Sequence, residues 1–455
     1  MMYINKNLSE QLKGRFDDCD DLVTKTFPEL EIEVLFFGHL VGEEELRNNI
    51  VQPFSNIKND EVNNILRRKE FKQEEDLNSM VNGILEGKAL VIYKNSLAYT
   101  VDIYVPKTRS VSAAEIETVI VGPKEAFIED IGTNLSMIRR RIKSDSLKVL
   151  SYKIGTLTQT KMYLLYTEGI TSSMLVKELQ EKINGIDIKG INDLNQLVQY
   201  LDKKPLSIFP QYFTTERPDV STSKLLEGRV ICLLDGSPYS LSTPTSFFEF
   251  FQSPDDYNQR WILGTLSRAL RFAALAITLF ASAFYVAVSM FQYEIIPVKL
   301  LHEFIKSRSD VPFNPLIEAL IIESIIELLR EAGARLPSKI GQTIGIVGGI
   351  VVGTAAVEAG FTSNILIIVV SISAISSFVV PHIIMTASLR IARFIFIILA
   401  SIAGFFGIIF GFILLLIHLC SLKNMGEYYF KPIAPLSLKD LKDTIIRAPY
   451  QFFKK

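Results

Sequence analysis

The chain has 455 residues, long enough for two or three domains. Its formal charge of −1 is almost balanced, and it has no basic block of the kind that binds nucleic acid, which excludes a nucleic-acid partner. The mean hydropathy of +0.26 hides a split: up to about residue 271 charges are spread throughout, and beyond it long apolar runs dominate. Cys19, Cys232 and Cys420 are scattered, odd in number and without metal spacing, as in a reducing compartment. The opening MMYINKNLSEQ has no apolar core, so it is not a signal peptide, and the first half is expected on the cytoplasmic side.

Residues 1–145 alternate strand and helix signals. Residues 30–37 predict a strand with Leu30, Ile32, Val34 and Phe36 on one face. Residues 43–51 and 76–85 predict helices, and residues 89–93 and 97–104 a hairpin across a Lys-Asn-Ser turn. Residues 117–121 predict a strand, and Gly122-Pro123 a helix running to about residue 141. That helix would carry Glu125, Glu129 and Asp130 at its start and Arg139, Arg140 and Arg141 at a solvated end. The pattern then restarts, with strands at 147–154, 161–166 and 229–234 and helices at 172–183 and 192–201. Asp235-Gly236-Ser237-Pro238 reads as a tight turn.

No catalytic constellation emerges. His39, His302, His382 and His418 lie far apart, and His302-Glu303 lacks the second histidine of a zinc helix. There is no phosphate loop and no nucleophile elbow, so neither an enzyme nor a cofactor or metal site is expected. Phe247, Phe248, Phe250 and Phe251 precede Trp261 and the first apolar run; a membrane interface and burial in the soluble part fit them equally.

Four later runs suit membrane spans: residues 272–291, 341–357, 362–380 and 394–420. Gly341, Gly345, Gly349 and Gly353 fall one helical turn apart, a stripe that lets helices pack closely in lipid; Gly404, Gly407 and Gly411 make another such face. Residues 316–330 are the ambiguous element. On a helical wheel Glu323, Glu327, Arg330 and Glu331 share one side, and Ile317, Ile321, Ile322, Ile325, Leu328 and Leu329 the other. Glu318 lies about 140° from Glu323 and suits a neighbouring helix. A helix lying in the interface fits this pattern. So does a helix lining a watery cavity, because a carboxylate in lipid costs about 2.5–3.5 kcal/mol unless it meets water or a partner. In the second reading Glu323, Glu327 and Glu318 are candidate pore-lining residues.

The stretches VGPKEAFIEDIGTNLSMIRRRI, FPQYFTTERPDV, LLDGSPYSL, EFFQSPDDY, ESIIELLREAGARLPSKIGQTIGIVGG and DLKDTIIRAPY resemble the A subunit of spore germination receptors, the GerA family. The resemblance covers nearly everything after about residue 115. It departs at Val121, where family members usually have arginine, and at Ser282, where they tend to have proline. The resemblance implies a multi-pass protein of the spore inner membrane that senses nutrients together with a transporter-like B subunit and a lipoprotein C subunit. It also implies self-association as a pentamer that forms an ion channel.

The expected architecture is therefore a multi-domain membrane protein: soluble α/β subdomains at 1–145 and 146–258, an all-α multi-pass domain at 259–420, and a hydrophilic tail at 421–455. Counting basic residues leaves the tail's side open, and it is assigned to the cytoplasm. The leading expectation is a nutrient-gated cation-channel subunit. A secondary transporter would show duplicated broken helices, whereas the glutamate helix and the glycine stripe each occur once. A non-conducting scaffold is the third reading.

Overall fold

The computed structural model describes residues 7–55, 57–105, 114, 116–336, 349, 351, 353–437 and 440–453. The chain divides into two compact units: Met1–Pro205 with Tyr212–Thr245 and Asn424–Gly426, and Leu206–Gln211 with Ser246–Lys423 and Glu427–Lys455.

The first unit holds two five-stranded antiparallel sheets. In the first, β1 (Leu22–Phe27), β2 (Ile32–Phe37), β3 (Phe71–Glu74), β4 (Ala89–Tyr93) and β5 (Leu97–Val101) are ordered β1-β2-β4-β5-β3. Leu30, Ile32, Val34 and Phe36 do share one core. Leu35 and Phe37 fill a second core on the opposite face, under α1 (Leu8–Arg15) and α2 (Leu77–Leu85). Burial on both faces explains why β2 is a nearly continuous apolar run. At the β4–β5 turn Lys94 and Asn95 have φ of 49° and 58°, the left-handed pair whose twist suits a tight hairpin.

The second sheet is ordered β6-β7-β9-β10-β8, from β6 (Leu147–Ile154), β7 (Thr160–Thr167), β8 (Phe213–Thr215), β9 (Val230–Leu234) and β10 (Ser240–Thr243). One face packs on α3 (Ile131–Arg141) and α6 (Pro218–Leu226) through Leu135, Ile138 and Leu225. The other packs on α4 (Ser173–Asn184) and α5 (Leu194–Leu201) through Leu179, Leu194 and Leu197. The turn after β9 also ties helix starts together. Gly236, at φ 81°, donates to the Glu129 carbonyl at 2.9 Å. Ser237 Oγ donates to Asp193 at 2.8 Å and accepts from Leu194 N, at the mouth of α5.

Three sequence expectations fail in this unit. Residues 117–121 form no strand, because side chains replace the ladder. The Glu216 carboxylate accepts from Ile116 N and Glu117 N at 2.8 and 2.6 Å, and Arg217 donates to the Glu117 and Pro123 carbonyls at 3.2 and 2.8 Å. The helix starts at Ile131 rather than Gly122. Asp130 caps it by accepting from Thr133 N at 2.7 Å, while Asn134 folds back onto the Ile128 backbone. The arginine end is not solvated: Arg139 is 1% exposed and grips Asp21 with two bonds of 2.9 and 2.8 Å.

Burial pushes the Glu117 carboxyl up to about 7, aided by the nearby Glu216 charge and opposed by the Thr215 hydroxyl and Arg217. The folded state thus holds this proton more tightly than the unfolded chain, so stability is full below the ordinary glutamate range and falls as pH rises through about 7. Glu117 keeps some access to water, so the loss should be only about 1–2 kcal/mol. Thermal melts from pH 5 to 8 should show this slope in wild type and a flatter one in Glu117→Gln; equal slopes would refute it.

The second unit is helical. α7 (Trp261–Met290) and α11 (Ile383–Ser421) are long and apolar enough to cross a membrane. Among the described residues, shorter helices accompany them, including α8 (Val298–Arg308), α9 (Pro315–Arg335) and α10 (Asn364–Ser377). α11 is not the single straight span expected at 394–420. At Ala403 and Gly404 its backbone leaves helical geometry, with Gly404 at φ 58°. The chain then doubles back. A Cβ at Gly407 would lie 2.0 Å from the Leu399 carbonyl oxygen, and one at Gly411 3.0 Å from the Phe396 ring. Those glycines let the two arms of a hairpin touch.

The arms run along α7. Phe280 meets Phe396 at 5.0 Å and Phe412 at 5.8 Å, and Gln292, just past α7, accepts from Phe405 N at the hairpin tip. At the other end of the unit the four phenylalanines 247, 248, 250 and 251 are buried. Phe251 packs on Phe272 of α7, Phe250 on His382 at the start of α11, and Phe248 on Phe430 beyond its end. Burial, rather than an interface belt, accounts for them. At the same end Asp256 accepts from Arg268 and Arg271 at 3.0 and 2.6 Å, and Arg268 also reaches Asp443 at 2.8 Å. The EFFQSPDDY and DLKDTIIRAPY stretches therefore clamp the base of α7.

Candidate functional site: an ion-pair ladder in the helical unit

α9 runs antiparallel to α7 with its charged side turned inward. Asn314 caps its start by accepting from Leu316 N at 3.1 Å, and Pro315 fits the first turn. Glu318 is fully buried. It accepts from Ser363 N at 2.7 Å, Thr362 Oγ1 at 3.1 Å and Tyr285 OH at 3.4 Å, with Arg308 Nη2 3.8 Å away. These partners lie at the start of α10 and on α7.

One and a half turns on, Glu323 is also fully buried. Its carboxylate meets Arg393 Nη2 at 2.8 Å and accepts from Ser282 Oγ at 2.6 Å. Arg393, itself 0% exposed, donates to Ser373 Oγ at 3.2 Å. A further turn along, Glu327 pairs with Arg390 and lies 3.8 Å from Arg330, which donates to Ser377 at 2.9 Å and sits 4.7 Å over the Phe378 ring. The Glu327 side chain is 36% exposed, so of the three carboxylates it alone reaches the surface of the unit.

The pairs form a ladder because two helices carry opposite charges at matching intervals. Glu323 and Glu327 are four apart on α9, Arg390 and Arg393 three apart on α11, and the helices run in opposite directions. Three carboxylates face four arginines, so within one chain the acidic charge is matched. The outer face of α9 is a shallow apolar groove of Ile317, Leu320, Ile321, Ser324, Ile325 and Leu328, with Leu328 69% exposed. Charge inside and hydrocarbon outside is the reverse of a water-soluble helix.

Of the glycine stripe, Gly341 and Gly345 lie outside the described residues. A Cβ at Gly349 would meet nothing within 4 Å, and one at Gly353 only Ile367 at 3.9 Å. Ser282, Tyr285, Thr362, Arg390 and Arg393 join this site only in the folded chain. The signal for the arginines was two basic residues one turn apart beside an otherwise apolar run. Among the described residues no group of three or more His, Cys, Asp or Glu side chains could hold a metal ion.

Comparison with known proteins places this architecture. A family model described as Bacillus/Clostridium GerA spore germination protein matches residues 10–455. Spore germination protein GerQA of Bacillus cereus is 39% identical over 411 residues, covering 87% of this chain and 82% of that protein. Spore germination protein A1 of Bacillus subtilis (strain 168) is 39% identical over 455 residues, covering 98% and 94%. Spore germination protein KA of the same strain is 36% identical over 458 residues, covering 98% and 84%. Among solved structures, the N-terminal domain of the A subunit of the Bacillus megaterium spore germinant receptor GerK3 aligns with a TM-score of 0.41 and 25% identity, over 53% of this chain and 96% of that one. The match of residues 10–455 and the three relatives together show that this chain belongs to the GerA family of spore germination proteins.

Proposed function

We propose that the chain is the A subunit of a germinant receptor and not an enzyme. Its helical unit spans the spore inner membrane and, as a homo-oligomer, gates the passage of cations. It works with a transporter-like B subunit and a lipoprotein C subunit, and its N-terminal half lies in the cytoplasm. The observation that carries the reading is the ladder: charges buried among apolar helices are costly and are kept where ions or protons must pass. In the geometry described, each carboxylate faces an arginine, so this is a latched arrangement. Opening requires Arg390 to leave Glu327, the one rung within reach of the surface, and symmetry then makes Glu327 a carboxylate ring that attracts cations.

The packing of the unit supports the crossings. α7 leads away from the Asp256 clamp, α9 returns beside it, and by Gly360 the chain is back against Asp310. α10 runs back again, with Ser363 beside Tyr285 and Ser373 beside Thr278. The two arms of α11 go out to Gln292 and return to the phenylalanine cluster. The chain therefore ends on the side where α7 begins, and the tail is cytoplasmic if the first half is.

The test is Glu327→Gln in liposomes containing the purified oligomer. The latch reading expects a several-fold higher cation leak without nutrient, and weaker cation-over-anion selectivity. Wild-type flux and selectivity in that variant would sink it.

A further inference from the structure

Three consecutive arginines end α3, and their environments differ. Each nitrogen of Arg139 has a partner: besides the two bonds to Asp21, its Nη1 donates to the Leu147 carbonyl at 2.9 Å. Arg141 pairs with Glu125 and donates to the Met137 carbonyl at 2.8 Å. Arg140 between them is different. Its Nε and Nη2 are buried and have no hydrogen-bond partner among the described residues. A buried donor left unmade costs about 1–3 kcal/mol, more when charged, so such a group needs a reason.

Arg140 lines a cavity of about 370 Å³ in the first unit, where the end of α3 meets the α2–β4 turn and the segment after β5. Its other walls are Leu40, Leu85, Glu86, Lys88, Asp102, Tyr104 and Lys143. Gly87, at φ 90°, makes room for one wall, since a Cβ there would sit 2.6 Å from the Tyr104 ring. Of the acidic lining groups, Glu86 pairs with Lys88 at 2.7 Å, while Asp102 accepts from Tyr104 N at 3.3 Å and keeps its charge. Lys88 is spoken for by Glu86. Lys143 makes no ion pair among the described residues, although it also lies within electrostatic reach of Glu86; with three cations against two carboxylates the lining carries one net positive charge, on the side of Arg140 and Lys143.

We propose that this cavity binds a small oxyanion, a phosphate or a carboxylate group of a free metabolite, with Arg140 as the forked donor and Lys143 as the second cation. A guanidinium offers two parallel N–H groups that match the paired oxygens of either anion, and an ammonium adds a point charge. The apolar walls from Leu40 and Leu85 leave room for a short carbon chain beside the charged head. The site lies outside the ion-pair ladder and needs no part of it.

The experiment uses the full-length protein in detergent, melted with sodium phosphate, sodium succinate or sodium chloride at equal ionic strength. Phosphate or succinate should raise the wild-type midpoint above chloride, and the stronger of the two identifies the head group. Arg140→Gln and Lys143→Gln should each weaken the apparent affinity about tenfold or more. In chloride alone Arg140→Gln should melt no lower than wild type, since it removes unmatched donors, whereas a purely structural arginine would lose stability there. Should Arg140→Gln fail to fold, that result counts as the structural role and overturns the proposal. Anion shifts equal in wild type and Lys143→Gln, or no shift beyond chloride in wild type, would overturn it too.

Discussion

A Glu323→Gln chain is expected to accumulate at a small fraction of the wild-type level and to melt early in detergent, and adding Arg393→Met is expected to restore both. The reason is the asymmetry of buried ion pairs. Removing one partner leaves the other charge stranded, at about 3–5 kcal/mol, while replacing both with neutral groups of similar volume is often close to neutral. Both side chains here are 0% exposed, and besides Glu323 the Arg393 guanidinium donates to the Ser373 hydroxyl at 3.2 Å. Glutamine keeps an oxygen for Ser282 but supplies no charge for the guanidinium. A pore-facing Glu323 predicts the opposite pattern: normal level and melting in the single variant, altered ion flux, and no rescue by the second change. Fluorescence-detected gel filtration with a thermal ramp separates the two. A stable single variant would mean that Glu323 finds water in the assembled protein.

The alternating strands and the amphipathic helices were legible because each rests on local periodicity. β2 and β6 and the helices α2, α4 and α5 fall within a few residues of where the pattern puts them. β8 and β10 were not, since each is three or four residues of Ser, Thr and a single large apolar group, ordered by pairing with β9 and with each other. The irregular run before α3 was misread for a related cause. Its backbone is satisfied by Glu216 and Arg217, a hundred residues away, and no local signal reports such a partner. In the helical unit the charged stripe of residues 316–330 was visible, but its direction was not. A wheel separates two faces without saying which one meets other helices. Arg390 and Arg393 settle that, and their link to Glu323 and Glu327 exists only once α9 and α11 lie side by side. The hairpin was hidden in the same way: Gly404, Gly407 and Gly411 suit a straight packing face or a turn with two touching arms, and only the fold distinguishes these.

Arg139→Ala is expected to cost the first unit about 3–5 kcal/mol, the largest single loss in that unit. Asp21, 5% exposed, would be left buried without its bidentate partner, and His39 Nε2 at 3.5 Å offers a weaker substitute that must be protonated to serve. The guanidinium also lies 4.4 Å over the Phe37 ring, so truncation opens a void between the two sheets as well as breaking the pair. Those sheets are joined at this point by backbone too: Asp20 N donates to the Val149 carbonyl and Val149 N to the Asp18 carbonyl, both at 2.9 Å. Loss of the pair should therefore loosen residues 18–21 from β6 first. Arg139→Lys keeps the charge but cannot make both Asp21 bonds and the Leu147 bond in one plane, so it should recover only part of the loss. The measurement is amide hydrogen exchange with thermal melting on wild type and both variants. Faster exchange at Asp20 and Val149 in the order wild type, lysine, alanine supports the joint; unchanged exchange there with a normal melt would show that the pair holds nothing together.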